Sequence, residues 1–177
     1  MTMSTAIAGR VWKFGDNVCG DDGIIEYSIV REGFGKPFNP ELLRSVCFRK
    51  LRPEFPDTVR EGDIVVGGTN FAHHNHIEVA AAIRFSGIAA VLVESCESGF
   101  IRRALTVGLP VLHCPGITAA VEDGERVTVD PASGRVWLPG GEEISFRPFT
   151  ERMVATWQAG GVVPYLQQVF ARAGQPQ

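Results

Sequence analysis

The spacing of apolar positions changes twice along the chain. GRVWKF, residues 9–14, alternates apolar and charged side chains, the period-two signature of a strand. GDNVCGDDG follows and reads as a polar loop, being rich in Gly, Asp and Asn. IIEYSIV fits either a short strand or a helical turn, and REGFGKPFNP is a connection containing Gly and Pro. Asn39 is placed to cap a short helix through ELLRSVCF, with Pro40 at its first position. LRPEFPDTVREG reads as irregular.

The middle of the chain is more regular. DIVVGG, residues 63–68, is a continuous apolar run and predicts a buried strand. After a polar loop, IEVAAAIRFSG predicts a helix ending at Gly87. Ile77, Ala80, Ala81 and Arg84 share one face of it, and Val79, Ala82, Ile83 and Ser86 form a neighbouring stripe, so most of the helix should be covered. IAAVLVES predicts the next strand, GFIRRALTVG a second helix closed by Gly108, and LPVLHC a third strand. Strand and helix alternating in this way imply right-handed parallel crossovers. Uninterrupted apolar strands agree, because a parallel sheet is covered on both faces.

Period two then returns. ERVTVDPASGRVWLPGGEEISF alternates, with turn signals at DPASG and PGG, and predicts antiparallel strands. TERMVATWQAGG predicts a helix capped by Thr150 and stopped at Gly160 and Gly161, and VVPYLQQVFARA a last helix. No internal repeat or low-complexity segment interrupts the pattern.

The length of 177 residues favours one domain, 1–177, large enough to remove roughly 70% of its unfolded surface from water. A net charge of -3 gives no reason to expect nucleic acid or an anionic membrane as partner. No apolar run approaches the roughly 20 residues needed to span a bilayer, and MTMSTAIAGR lacks the charged start and apolar core of a signal peptide. The expectation is a cytoplasmic protein. Cys19, Cys47, Cys96 and Cys114 have no CxxC spacing and match no zinc-ribbon or iron–sulfur ligand set, so they are expected as free thiols.

The loop NFAHHNHIEVA, residues 70–80, holds three of the four histidines, His73, His74 and His76. It lies beyond the end of a parallel strand and before a helix, where ligands gather and where free N–H groups favour anions. Zinc would require three or four ligands, and nothing in the sequence shows Glu78 or Cys114 converging on the histidines, so no metal ligand is assigned. Histidine exchanges protons near neutral pH, and Asn75 can orient a carbonyl or carboxylate. On residue chemistry alone, catalysis and a polar turn stand as equal alternatives.

Four ordered stretches resemble the small subunit of 3-isopropylmalate dehydratase, the swivel domain of the aconitase superfamily: GRVWKFGDNV, GDIVVGGTNF, AAIRFSGIAAVLVESCESGFIRRALTVGLPVL and GGVVPYL. The resemblance implies an α/β aconitase swivel-domain-like fold, a parallel βαβαβ core with additional antiparallel strands forming a partly open barrel. It implies a hydro-lyase or isomerase small subunit that adds or removes water at a small hydroxy carboxylic acid, working as a heteromer. This chain would bind no cofactor itself; the [4Fe–4S] cluster would sit on an iron–sulfur large subunit and act as a Lewis acid.

The family's active loop reads N-F-G-C-G-S-S-R-E-H-A. Asn70, Phe71, Glu78 and Ala80 match. His73 and His74 replace the cysteine and second glycine, Asn75 the serine base, His76 the second serine, and Ile77 the carboxylate-binding arginine. The resemblance therefore implies a site of His76, Asn75, His74 and His73 as catalytic candidates, His76 being able to serve as base where Asn75 is not. Asn70, Ile77, Arg31 and Asp16 are the implied substrate-binding positions. Asp16 and Asn17 match the family's G-D-N loop, Cys19 and Gly20 depart from it, and Asp21 or Asp22 stands near its later aspartate. The loss of arginine at Ile77 argues for a substrate other than isopropylmalate. A non-catalytic binding or regulatory module that kept the fold is the alternative.

Overall fold

Alternate residues of one sheet feed two separate cores. The structure, a computed structural model, describes residues 5–173. Seven strands form the sheet: β1 (Ile7–Lys13), β2 (Ile64–Gly67), β3 (Ala90–Val93), β4 (Val111–His113), β5 (Arg126–Asp130), β6 (Arg135–Trp137) and β7 (Glu143–Ser145). Their order is β4-β3-β2-β1-β5-β6-β7. The pairs β1–β2, β2–β3 and β3–β4 are parallel, and β1–β5, β5–β6 and β6–β7 are antiparallel. The expected parallel core and antiparallel extension are thus one mixed sheet joined at β1, curled into a half-barrel.

Successive side chains of a strand point to opposite faces. Trp12, Val65, Val91, Val93 and Val111 enter one core, and Val11, Ile64, Val66, Ala90, Leu92 and Leu112 enter the other. The first core is covered by helices. These are α1 (Tyr27–Gly33), α2 (Pro40–Val46), α3 (Phe55–Thr58), α4 (Ile77–Phe85) and α5 (Ser98–Thr106). All residues from Glu78 to Ile83 are buried, so the middle of α4 lies inside the layer. The second core fills the half-barrel with Val127, Val129, Val136, Leu138 and Phe146, beneath the short α6 (Ile117–Ala120). Two further helices, α7 (Glu151–Gln158) and α8 (Val162–Ala173), follow the sheet.

The caps read from sequence are present. Asn39 Oδ1 accepts from Leu42 N at 3.1 Å, and Thr150 Oγ1 accepts from Met153 N at 3.3 Å. Gly87 and Gly108 close α4 and α5 with φ of 91° and 75°, a region that penalises residues with a Cβ. Two segments differ from expectation. IIEYSIV resolves into the helix α1, preceded by a π-turn over Gly20–Ile24. The stretch read as irregular contains α3, because Phe55 is fully buried against Trp12, Phe14 and Phe48. No helix among the described residues is long and apolar enough to cross a membrane.

Candidate functional site

The strands β1 and β2 end side by side, and their hydrogen bonding continues beyond both ends. Phe14 N donates to Val66 O at 2.7 Å, Gly68 N to Gly15 O at 3.1 Å, Asn17 N to Thr69 O at 2.8 Å and Gly20 N to His73 O at 2.7 Å. Loops 15–22 and 68–76 therefore run together past the carboxyl ends of the parallel strands, the position favoured for ligands in such sheets. Side chains reinforce the seam: Asp16 Oδ1 accepts from Thr69 N at 2.7 Å, and Asn70 Nδ2 donates to Asn17 Oδ1 at 3.1 Å. Gly68 is required here, since a Cβ at that position would overlap Asp16 Oδ1.

The histidine loop is anchored from within by Phe71, which is fully buried with its ring 6.3 Å from Phe100 and 6.4 Å from Phe48. Burying a Phe contributes about 1.5–3 kcal/mol. Around this anchor Asn70, Ala72 and His74 all adopt left-handed conformations, with φ of 54°, 55° and 47°. Such conformations are costly without glycine and persist where surroundings fix them. Here backbone donors from the neighbouring loop, including Asp21 N to His74 O at 3.0 Å, supply that constraint.

The structure separates the candidate residues by environment. His76, the N-cap of α4, is half-exposed, and its Nδ1 lies 2.7 Å from Asp21 Oδ2. Tyr27 and Phe34 flank the His76 ring at 5.8 and 5.6 Å. Asn75 is turned inward and buried: its amide donates to Ala72 O at 2.8 Å and its Oδ1 accepts from Arg103 Nη1 at 3.1 Å. His73 and His74 sit side by side on the outer side of the loop, with Nδ1 atoms 3.4 Å apart. Asp16 and Asn70 tie the two loops together. Ile77 is half-buried in the first turn of α4, and Arg31 is exposed on α1. Among the described residues, no side-chain hydrogen bond or ion pair joins Arg31 to the histidine loop.

Glu78 is buried, and its Oε2 has no hydrogen-bond partner. It lines a cavity of about 240 Å³ with Ile29, Phe38, Leu42 and Leu43. Sequence reasoning did not find Arg103, and it named Asp21 without pairing it with His76. Both pairings arise because β1 lies beside β2 and α5 packs beside α4, relations that local pattern does not encode.

The four cysteines do not assemble. Burial pushes the Cys47 thiol up to about 12, Cys96 up to about 11 and Cys114 up to about 12, which keeps all three as neutral thiols at physiological pH. Cys47 faces the helical core and Cys114 the half-barrel, on opposite sides of the sheet. Cys114 is therefore not a partner for the histidines. The described residues offer no cysteine set for an iron–sulfur cluster.

A mixed half-barrel with helices over its parallel end is the swivel architecture of the aconitase superfamily. The crystal structure of 3-isopropylmalate dehydratase (LeuD) from Methanocaldococcus jannaschii superposes with a TM-score of 0.82 at 29% identity, covering 96% of this chain and 99% of that one. No family model matches the chain. Relatives match at nearly full length. The 3-isopropylmalate dehydratase small subunit 1 of Methanopyrus kandleri is 36% identical over 173 residues, 97% of this chain and 98% of the relative. The isopropylmalate/citramalate isomerase small subunit of M. jannaschii is 35% identical over 173 residues, covering 97% and 99%. The homoaconitase small subunit of Methanothermobacter thermautotrophicus is 36% identical over 163 residues, 91% of each chain. The chain belongs to the 3-isopropylmalate dehydratase small-subunit family.

Proposed function

We propose that this chain is the small subunit of a hydro-lyase that adds or removes water at a small hydroxy carboxylic acid together with a large subunit, and that His76 moves the substrate proton. The observation that carries the residue assignment is the 2.7 Å contact between His76 Nδ1 and Asp21 Oδ2. A carboxylate only accepts, so His76 Nδ1 holds the hydrogen, and in the neutral imidazole Nε2 presents its lone pair. A carboxylate that fixes the tautomer and aims the ring is the arrangement of an oriented general base. Asn75 is buried and committed to Ala72 and Arg103, so it positions the loop and does not exchange protons.

Two features support an acidic substrate. Free N–H groups at the start of α4 favour an anion. Arg103, half-buried beside Asn75, brings a guanidinium to the loop where Ile77 brings none, and it can hold a carboxylate in bidentate fashion. Tyr27 and Phe34 beside His76, and the adjacent cavity under α1 and α2, give room for an apolar substituent.

The names of the relatives, all small subunits, support a large-subunit partner. An iron–sulfur cluster, when bound on that partner, would supply Lewis acidity toward the substrate hydroxyl. This chain's part is to bind, orient and deprotonate. The test is co-expression with a large subunit encoded beside this one, followed by a turnover screen of small hydroxy acids. In the active pair, His76→Ala should lower kcat by about 10²–10⁴-fold while the complex still forms. Unchanged turnover removes His76 from the mechanism, and a stable complex without turnover on any hydroxy acid favours a binding module.

A further inference from the structure

We propose that Cys19, His73 and His74 form a binding site for a thiophilic divalent metal ion such as zinc. One ligand-type atom from each residue lies within 4.8 Å of the others. The two loops bring them there. Cys19 and His73 are neighbours in a parallel bridge, and Gly20 N donates to His73 O at 2.7 Å, Asp21 N to His74 O at 3.0 Å. The left-handed backbone of His74 turns its ring back onto that of His73, 4.9 Å between centroids at 77°.

The imidazole chemistry fits. His73 Nε2 lies 3.1 Å from the Asn17 carbonyl oxygen, which can only accept, so Nε2 carries the hydrogen and Nδ1 presents its lone pair. An imidazole whose second nitrogen donates to a carbonyl is the usual outer arrangement of a metal-bound histidine. The His73 and His74 Nδ1 atoms are 3.4 Å apart. Two nitrogens each about 2.0–2.1 Å from one tetrahedral zinc ion are separated by about 3.4 Å. Cys19 adds the soft ligand that favours zinc over magnesium or calcium, binding as thiolate with its proton released to water. His74 is exposed, which leaves the fourth coordination position toward solvent. His76 and Asp21 are engaged with each other and lie outside the set.

This inference does not depend on turnover, so it stands or falls separately from the proposed reaction. The full chain, purified without a histidine tag and stripped with chelator, is titrated with Co²⁺ and then with Zn²⁺ against a chromophoric chelator. Expected are one equivalent of metal per chain, tetrahedral visible bands and a near-ultraviolet thiolate-to-cobalt band. The thiolate band should vanish in Cys19→Ser. His73→Ala and His74→Ala should each weaken zinc binding by more than about tenfold, since loss of an outer-shell partner alone costs that much. His113→Ala, at the exposed histidine of β4, should bind as wild type. Should a histidine variant fail to fold, Cys19→Ser and protection of Cys19 by zinc against alkylation decide the question. No stoichiometric metal, or affinity unchanged in Cys19→Ser and His73→Ala, overturns the site.

Discussion

Arg103 and Asn75 share one hydrogen bond, Nη1 to Oδ1 at 3.1 Å, that ties the middle of α5 to the inside of the histidine loop. Gly99, one turn earlier on α5, keeps the space beside this guanidinium clear, because a Cβ there would come within 2.8 Å of Arg103 Nη1. The arginine thus reaches the inside of the loop from a helix.

Replacing Arg103 by leucine should raise KM for an acidic substrate by at least about tenfold, the loss of one charge-assisted pair, with a smaller change in kcat. Arg103→Lys should recover only part of the loss, because an ammonium cannot present the guanidinium fork. Steady-state kinetics of the subunit pair checks this; a fall in kcat with KM unchanged would show that Arg103 only supports Asn75.

Asp21→Asn should reduce kcat while leaving the subunit complex intact. The asparagine amide can still meet His76 but no longer enforces Nδ1–H with Nε2 free. A loss of about 10–10³-fold, smaller than for His76→Ala, is expected from single-turnover rates.

Asp63, buried beneath β1, accepts from Trp12 Nε1 at 2.9 Å and from Arg60 N at 3.0 Å, with Arg10 at 3.4 Å. Asp63→Ala strands a buried indole N–H and a backbone N–H. The expected destabilisation is about 1–3 kcal/mol for each group left unpaired and shielded from water, read as a lower urea midpoint with an unchanged slope.

Glu94, just past β3, fastens α6 by accepting from Gly116 N at 2.8 Å, Thr118 N at 2.8 Å and Thr118 Oγ1 at 2.6 Å. Burial by itself would raise its pKa, but these bonds from Thr118 and Gly116 outweigh it and hold the carboxyl below its ordinary 4.5. A folded value below the unfolded one means the carboxylate stabilises the fold above the ordinary carboxylate range. That contribution disappears as the pH falls through the folded value. Urea midpoints from neutral to about pH 3 should therefore decline more steeply in wild type than in Glu94→Gln.

The strands, the caps at Asn39 and Thr150, and the stops at Gly87 and Gly108 were legible because each depends on residues adjacent in sequence. The swivel fold was legible through four ordered stretches that the resemblance recognised. The pairing of Asp21 with His76 and of Cys19 with His73 and His74 was not, because it requires β1 to lie beside β2 in parallel, 53 residues further along in register. Cys114, weighed as a partner for the histidines, ends up across the sheet in the other core. The helix α3 was hidden because Pro53, Pro56 and their charged neighbours suggest a loop, while burial of Phe55 decides the outcome.

The kinked path of residues 70–74 has a consequence for when the site exists. Asn70, Ala72 and His74 would not choose their backbone angles in isolation, so that shape is borrowed from Phe71 below and residues 16–21 alongside. The imidazoles consequently reach the arrangement described above only after both sheet ends are assembled. In hydrogen-exchange measurements this stretch should be the first part of the sheet end to open on mild destabilisation, ahead of β2 and α4.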